Sequence, residues 1–310
     1  MIELLRRAGR ITDIEKYVTA AEKACQRSNL AGLNYCRGLQ RRFEGSPIEA
    51  LKQLNAARTD NVFSRNACMN MVEIYLNPAN EMIFSSQGDT GYQTSKDNIA
   101  QANMLILELK SRNVETSIIE CHAHIATKEK TELEAAEKKL KVILGKKKEY
   151  VPALVAMGLC KFIQKKSSDA KNYLKTVVKQ EFQLEYAEGF EMAWLLSADY
   201  YISVKKFDLA ETELKKVLKY NKSNVKAEEL MGLIKEMEKA YVDAADHYDK
   251  AFKMSNKKNA AVGFRLAFNY LKANRYVDTI DVSKEVLKVY PEYPKVQTDL
   301  IDKARSMIRA

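Results

Sequence analysis

The chain has 310 residues, of which 46% are apolar, and its 51 basic and 41 acidic side chains give a net charge of +10. Gly (11) and Pro (5) are scarce, which favours helices over sheets. The longest apolar run, residues 153–160, covers eight residues and is too short for a membrane span, which needs roughly 18. Because Glu3, Arg6, Arg7 and Arg10 interrupt the apolar start, we expect no signal peptide and an intracellular location.

A small residue recurs along the chain ahead of a pair of residues, mostly apolar, that stand four and seven positions later. The triads are Ala50/Leu54/Ala57, Ala136/Leu140/Ile143, Ala170/Leu174/Val177, Ala210/Leu214/Val217, Ala244/Tyr248/Ala251 and Thr279/Ser283/Val286. From Ala136 onwards the spacings are 34, 40, 34 and 35, close to the 34 of a tetratricopeptide unit. The pattern predicts an all-α solenoid of helix-turn-helix units, wound as a right-handed superhelix.

A second small residue precedes most of these triads by twelve positions. It is Gly38, Gly158, Ala198, Gly232 or Ala267, and His124 is the exception. We expect this position to lie where the first helix of a unit, helix A, presses on the second, helix B.

Two segments depart from the period. Residues 77–98 carry Pro78, Gly88 and Gly91 among polar residues, which predicts a loop inserted between the two helices of one unit. Residues 293–310 place Val296, Leu300, Ala304 and Met307 on one helical stripe, as a capping helix does. We therefore predict a repeat array over residues 1–292, interrupted by the loop, and a cap over 293–310.

The five cysteines are widely spaced and odd in number, which favours reduced thiols in the core over disulfides. Cys121, His122 and His124 form the one cluster of ligand-type side chains, but zinc normally takes four ligands and the third histidine, His247, is distant in sequence. Helix packing is the favoured interpretation of this cluster.

No arrangement typical of an enzyme is present. The sequence contains neither GxGxxG nor GxxxxGK[ST], the glycine-rich patterns that hold phosphates, and its three histidines suggest no paired base and nucleophile. Basic residues are scattered along the chain rather than grouped, which argues against a nucleic-acid surface. We therefore predict no catalysis, no cofactor, no metal and no nucleic-acid partner.

The concave groove of the array is the candidate site for a protein partner. Its inner surface is formed by the fifth, ninth and twelfth residues of each helix A, and the apolar candidates there are Val155, Leu159, Phe162, Leu233, Phe264, Phe268 and Leu271. An apolar groove suits a helix or extended segment of a partner. The alternative is that these side chains pack within a tightly wound superhelix.

The final units and the segments NYCRGLQ, NMVEIYLNP and WLLSADYY resemble the tetratricopeptide repeat protein 21 family, the all-repeat subunit of intraflagellar transport complex A. The resemblance implies that this chain corresponds to the C-terminal part of a longer superhelix. It also implies retrograde ciliary transport, ciliary cargo entry, and a location in the cilium or flagellum and in the cytoplasm around the basal body. The implied partners are other complex A subunits and adaptors for ciliary membrane-protein cargo.

A second function hypothesis does not depend on cilia. A stand-alone repeat adaptor would bind one short peptide in the concave groove, with Phe264 and Phe268 as anchors. A tight peptide complex that is lost on Phe268→Ala would favour this hypothesis.

Overall fold

The computed structural model describes residues 1–25, 30–77, 96–109 and 113–309, and these residues form helices and turns with no strand. The predicted all-α class is confirmed. The chain divides into two compact units, residues 1–5 with 10–204 and residues 6–9 with 205–310.

In the first unit, the described helices follow one another along the chain. They are α1 (Ile2–Arg7, shared with the second unit), α2 (Thr12–Ala24), α3 (Leu30–Phe43), α4 (Pro47–Ala57), α5 (Ser64–Leu76), α6 (Lys96–Glu108), α7 (Val114–Ala126), α8 (Lys130–Lys146), α9 (Val151–Ile163), α10 (Ser167–Val178) and α11 (Ala187–Ser203). A short 3₁₀ turn, Leu184–Tyr186, precedes α11.

The second unit continues the pattern. It contains α12 (Phe207–Tyr220), α13 (Val225–Met237), α14 (Tyr241–Met254), α15 (Ala260–Lys272), α16 (Tyr276–Val289), a π-helix (Val296–Asp302) and α17 (Lys303–Arg309).

The six triads are the centre of the helix packing, as predicted. The first two residues of every triad are no more than 1% exposed. A Cβ placed on Gly38 would lie 2.7 Å from Leu54 Cγ, and one on Gly158 would lie 2.9 Å from Leu174 Cδ2. The small residue of helix A therefore meets the triad of helix B in these units, because any larger side chain would collide there.

The structure resolves the exception at His124. In the six units that carry a triad, helix A is followed closely by a residue with positive φ, and this series is Gly45, Lys128, Lys165, Lys205, Lys239 and Asn274. Seven residues earlier stands Gly38, Cys121, Gly158, Ala198, Gly232 or Ala267, so Cys121 rather than His124 occupies the small position between α7 and α8. The count of twelve was wrong here because Ala136 follows the left-handed residue by eight positions, against five elsewhere.

The C-terminal segment packs on α15. Leu300 and Ala304 contact Ala267 and Leu271 of that helix, and the division into a repeat array and a capping helix stays a prediction. Met307 was predicted on the same stripe but is 49% exposed. The π-helix that precedes it has a wider turn than an α-helix and shifts the buried face, so that Ile301 is buried as well.

The predicted loop at 77–98 lies largely outside the described residues, which stop at 77 and resume at 96. The helices on either side, α5 and α6, belong to one packed cluster through Met71, Val72 and Leu105. Residues 96–98, at the end of the predicted loop, are part of α6.

Candidate protein-binding groove

In the first unit, the groove candidates all lie on α9, a helix that is buried on nearly every side. Val155 is 5% exposed and Leu159 is 2% exposed, whereas Phe162 is half-buried. A helix that is apolar all round belongs to the interior of an array. Val155 and Leu159 therefore contribute to the core, and Phe162 is the candidate of this unit that reaches the surface.

In the second unit, the candidates lie on α13 and α15. Leu233 is 7% exposed and Leu271 is 8% exposed. Phe264 lies with its ring centroid 6.1 Å from that of Tyr293, and the half-buried ring of Phe268 is 5.5 Å from Lys272 Nζ. Phe264 and Phe268 both pack against the cluster that the C-terminal cap completes.

The structure thus brings Phe264, Phe268 and Leu271 together beside the C-terminal segment and leaves Leu233 buried on α13. The role of the seven residues in binding a partner stays a prediction. For any partner, Phe162, Phe264 and Phe268 are the candidates with accessible surface.

A polar network lies between the same helices of the second unit. Asn269 Nδ2 donates to Glu236 Oε2 at 2.9 Å, and Arg265 Nη1 lies 3.6 Å from Glu236 Oε1 and 3.4 Å from the Tyr248 hydroxyl. Burial opposes the charge of Arg265, but Tyr248 and Glu236 hold its pKa above the ordinary value. Sequence reasoning missed this network; its signal was the polar pair Arg265 and Asn269, four positions apart on a helix.

A second polar group lies on α3 and α5 in the first unit. Arg42 Nη2 is 2.7 Å from Glu73 Oε2, and Arg42 Nη1 donates to Asn70 Oδ1. Burial opposes the charge of this arginine, but Glu73 and Glu188 keep its pKa above the ordinary value. Hydrogen-bonded ion pairs of this kind position helices relative to one another.

The cluster of Cys121, His122 and His124 is divided among separate environments. The Cys121 thiol is buried against Ala136, with Sγ 3.9 Å from its carbonyl oxygen, and burial raises its pKa to about 11. Burial lowers the pKa of His122 to about 4. His124 Nδ1 lies 2.5 Å from Glu132 Oε2, and its Nε2 lies 3.3 Å from Lys139 Nζ.

Within the described ranges, no group of three or more His, Cys, Asp or Glu side chains has the geometry to hold a metal ion. The cysteine prediction holds for Cys68, Cys121 and Cys160, which are at most 2% exposed, whereas Cys25 and Cys36 are partly exposed. No helix in the part of the chain that the structure describes has the length and apolar character of a membrane span.

Comparison with known families identifies the origin of this array. Residues 101–305 match the model of the tetratricopeptide repeat protein 21 C-terminal ARM domain, and residues 1–76 match that of the fifth ARM repeats domain of the same family. The chain belongs to the tetratricopeptide repeat protein 21 family. The family resemblance of the sequence segments is confirmed.

Relatives in this family are similar along the whole chain. Human tetratricopeptide repeat protein 21B is 43% identical, human protein 21A is 38% identical, and the Caenorhabditis elegans homolog is 29% identical, each over 100% of this chain. The match covers 25%, 24% and 24% of these three proteins. The chain therefore spans about a quarter of the length of the curated family members.

Solved structures support the solenoid fold. A chain of the APC/C hetero-tetramer Cut9–Hcn1 superimposes with a TM-score of 0.59 and 12% identity, covering 95% of this chain and 52% of that one. A monomeric IFIT1 mutant with Gppp-AAAA superimposes with a TM-score of 0.51 and 14% identity, covering 93% of this chain and 75% of that one. At these identities the likeness concerns the all-helical repeat fold alone.

Proposed function

We propose that this chain is part of a non-catalytic scaffold that holds other proteins, and that the scaffold is a subunit of intraflagellar transport complex A. In this role it supports retrograde ciliary transport and the entry of membrane-protein cargo into the cilium. Its partners are other complex A subunits and cargo adaptors, and its location is the cilium and the cytoplasm around the basal body.

The observation that carries this proposal is membership of the tetratricopeptide repeat protein 21 family along essentially the whole chain. Helix-pair arrays bury their apolar faces between repeats and bind partners over extended surfaces. The polar groups between α13 and α15, such as Glu236 and Arg265, are engaged with each other, which suits a framework better than a reaction centre.

The experiment is affinity capture of the tagged chain from ciliated cells, with washes at raised salt and identification by mass spectrometry. Recovery of complex A subunits supports the proposal. Recovery of a single unrelated partner, without complex A, contradicts it and favours the stand-alone adaptor.

Phe268→Ala separates the two hypotheses further. Phe268 is half-buried at the cap, so a short peptide anchored in the groove would lose much of its affinity with this ring. A scaffold whose contacts are spread over several repeats should retain complex A. Leu159→Ala is a poor probe of binding because Leu159 is 2% exposed and its truncation would damage the core.

A further inference from the structure

The net charge of the chain is concentrated in the second compact unit. Residues 6–9 with 205–310 contain 24 basic and 16 acidic side chains, a net charge of +8, whereas the first unit contains 27 and 25, a net charge of +2. The lysines that look scattered along the sequence therefore produce an uneven surface.

Within the second unit, the excess lies at one edge of the array. The turns between successive repeats, residues 219–227, 253–262 and 288–298, contain eight lysines and one carboxylate, Glu292. The turns within repeats, residues 205–209, 236–243 and 271–278, contain five basic and five acidic residues. Because repeats stack in the same orientation, turns of one kind follow one another along one edge.

We define the basic edge as the exposed lysines of the turns between repeats. They are Lys219, Lys222, Lys253, Lys257, Lys258, Lys288 and Lys295. Lys219, Lys253 and Lys288 lie in the last turns of α12, α14 and α16, where a cation is favoured by the helix dipole. The dipole accounts for one lysine per helix end, but not for Lys222 or Lys295 in the turns that follow.

Carboxylates on the same edge neutralise part of this charge. Lys253 Nζ is 2.6 Å from Asp249, while Glu285 pairs with Lys288 at 2.7 Å and with Lys257 at 3.5 Å. Among the described residues, no carboxylate lies within ion-pair distance of Lys219, Lys222 or Lys295. The edge therefore keeps a positive charge that faces solvent.

We propose that the basic edge binds an extended acidic segment of a partner protein. Asp249, Glu285 and Glu292 interrupt the lysines, so a polyphosphate backbone with a charge every few ångströms would place phosphates against carboxylates. A peptide can space its acidic side chains to avoid them. Val289 and Tyr290, 47% and 46% exposed, also offer apolar contacts that a peptide side chain uses and a phosphate backbone does not.

The geometry sets the length of the segment. The three turns follow α12, α14 and α16 and are separated by at most four helix spacings, and packed helices lie about 8 to 10 Å apart. An extended segment of about 12 residues, at roughly 3.3 Å per residue, is therefore long enough to cross all three turns. This inference rests on the proposed scaffolding role and adds the chemistry of one partner and the surface that it uses.

The test is binding of a fluorescent peptide of about 12 residues, in which glutamate alternates with serine, to the whole chain, with the alternating glutamine–serine peptide of the same length as the uncharged probe. The variant Lys219→Glu/Lys222→Glu/Lys295→Glu, at the three lysines without a carboxylate partner in the described part of the chain, should weaken binding of the glutamate peptide by about tenfold or more. The matched control is Lys205→Glu/Lys206→Glu/Lys239→Glu, which changes the net charge equally on the opposite edge and should alter binding by less than about threefold.

If the glutamate triple variant loses helical content, the Lys→Gln triple at the same positions replaces it, because Gln removes the charge without opposing the helix dipole. Equal weakening by the two triple variants would overturn the proposal, since net charge alone would then explain binding. Tighter binding of single-stranded RNA or of phosphatidylserine vesicles at this edge would overturn it in favour of another partner class. Failure to capture complex A by the wild-type chain would contradict the proposed function and leave the peptide result unaffected.

Discussion

Lys161 of α9 and Glu137 of α8 form an ion pair with Nζ 2.8 Å from Oε1, and the lysine side chain is only 7% exposed. The carboxylate also receives Lys141, at 2.7 Å, and the side-chain amide of Gln164, at 3.1 Å. Lys141 and Lys161 together hold the pKa of Glu137 down to about 2. The carboxylate partner compensates for the burial of this cation.

Removing the two partners of this pair should have unequal effects. Glu137→Gln leaves Lys161 buried without a carboxylate and should lower the free energy of unfolding by about 2 to 4 kcal/mol. Lys161→Met fills the same space without a charge and should cost about 1 kcal/mol or less, because Glu137 keeps Lys141. Urea unfolding followed by circular dichroism measures both. Lys141→Met, at an exposed end of the network, is the control. Equal losses of unfolding free energy in Glu137→Gln and Lys161→Met would contradict the burial argument.

Glu137 and His122 should affect stability in different pH ranges. Burial lowers the pKa of His122 from 6.5 to about 4, so the unfolded chain takes up a proton before the folded chain does, and stability falls as the pH drops from about 6.5 to 4. The contribution of Glu137 is present above its unfolded pKa of 4.5 and is lost as the pH falls through its folded value of about 2.

Two variants separate these ranges. His122→Gln should flatten the stability profile between about pH 6.5 and 4.5, with an effect of about 1 to 2 kcal/mol because the ring is partly exposed. Glu137→Gln should flatten it below about pH 4.5. The urea midpoint of each variant at a series of pH values is the measurement. A His122→Gln profile that runs parallel to the wild type from pH 6.5 to 4.5 would show that this ring is solvated.

Gly38 and Gly145 are both helical glycines, but they should respond in opposite ways to alanine. A Cβ on Gly38 would lie 2.7 Å from Leu54 Cγ, whereas one on Gly145 would meet nothing within 4 Å. Gly38→Ala should therefore lower the free energy of unfolding by about 1 to 3 kcal/mol. Gly145→Ala should raise it by about 0.5 to 1 kcal/mol through helix propensity. Thermal and urea unfolding check the signs, and a stabilising Gly38→Ala would contradict the predicted close helix contact.

The repeat positions could be predicted because they depend on local periodicity. Small residues such as Gly158 and Ala170 are required wherever two helices touch, and this requirement returns with each unit. Cys121 was not predicted as the small residue of its helix because α8 carries extra residues before Ala136. The spacing of twelve positions used for the other units therefore does not apply here. Met307 was placed wrongly because an α-helical period does not anticipate a π-helix.

The groove could be predicted less well than the array. The fifth, ninth and twelfth residues of helix A are predicted to face the inner surface of the array. This position does not show how tightly neighbouring units pack against that surface. Leu159 and Leu233 therefore proved to be buried. The pairing of Lys161 with Glu137 and of Arg265 with Glu236 depends on how adjacent helices rotate relative to each other, which periodicity does not specify.

Lys239 ends α13 in a left-handed conformation, with φ 62°. The backbone N–H of Ala240 donates to the Lys235 carbonyl at 2.9 Å. This is the hydrogen bond of a Schellman motif, in which the left-handed residue is usually glycine. A residue with a Cβ is disfavoured there by about 1 to 2 kcal/mol. Lys239→Gly should consequently raise the free energy of unfolding by about 0.5 to 1 kcal/mol, after the extra freedom of glycine in the unfolded chain is subtracted.

Two control variants separate backbone from charge. Lys250→Gly, at an exposed position inside α14, should lower the free energy of unfolding by about 1 kcal/mol. Lys239→Gln removes the same charge as Lys239→Gly but keeps the Cβ, so it should leave the urea midpoint unchanged. If Lys239→Gly and Lys239→Gln both raised stability equally, relief of charge repulsion rather than of the left-handed backbone would be the cause.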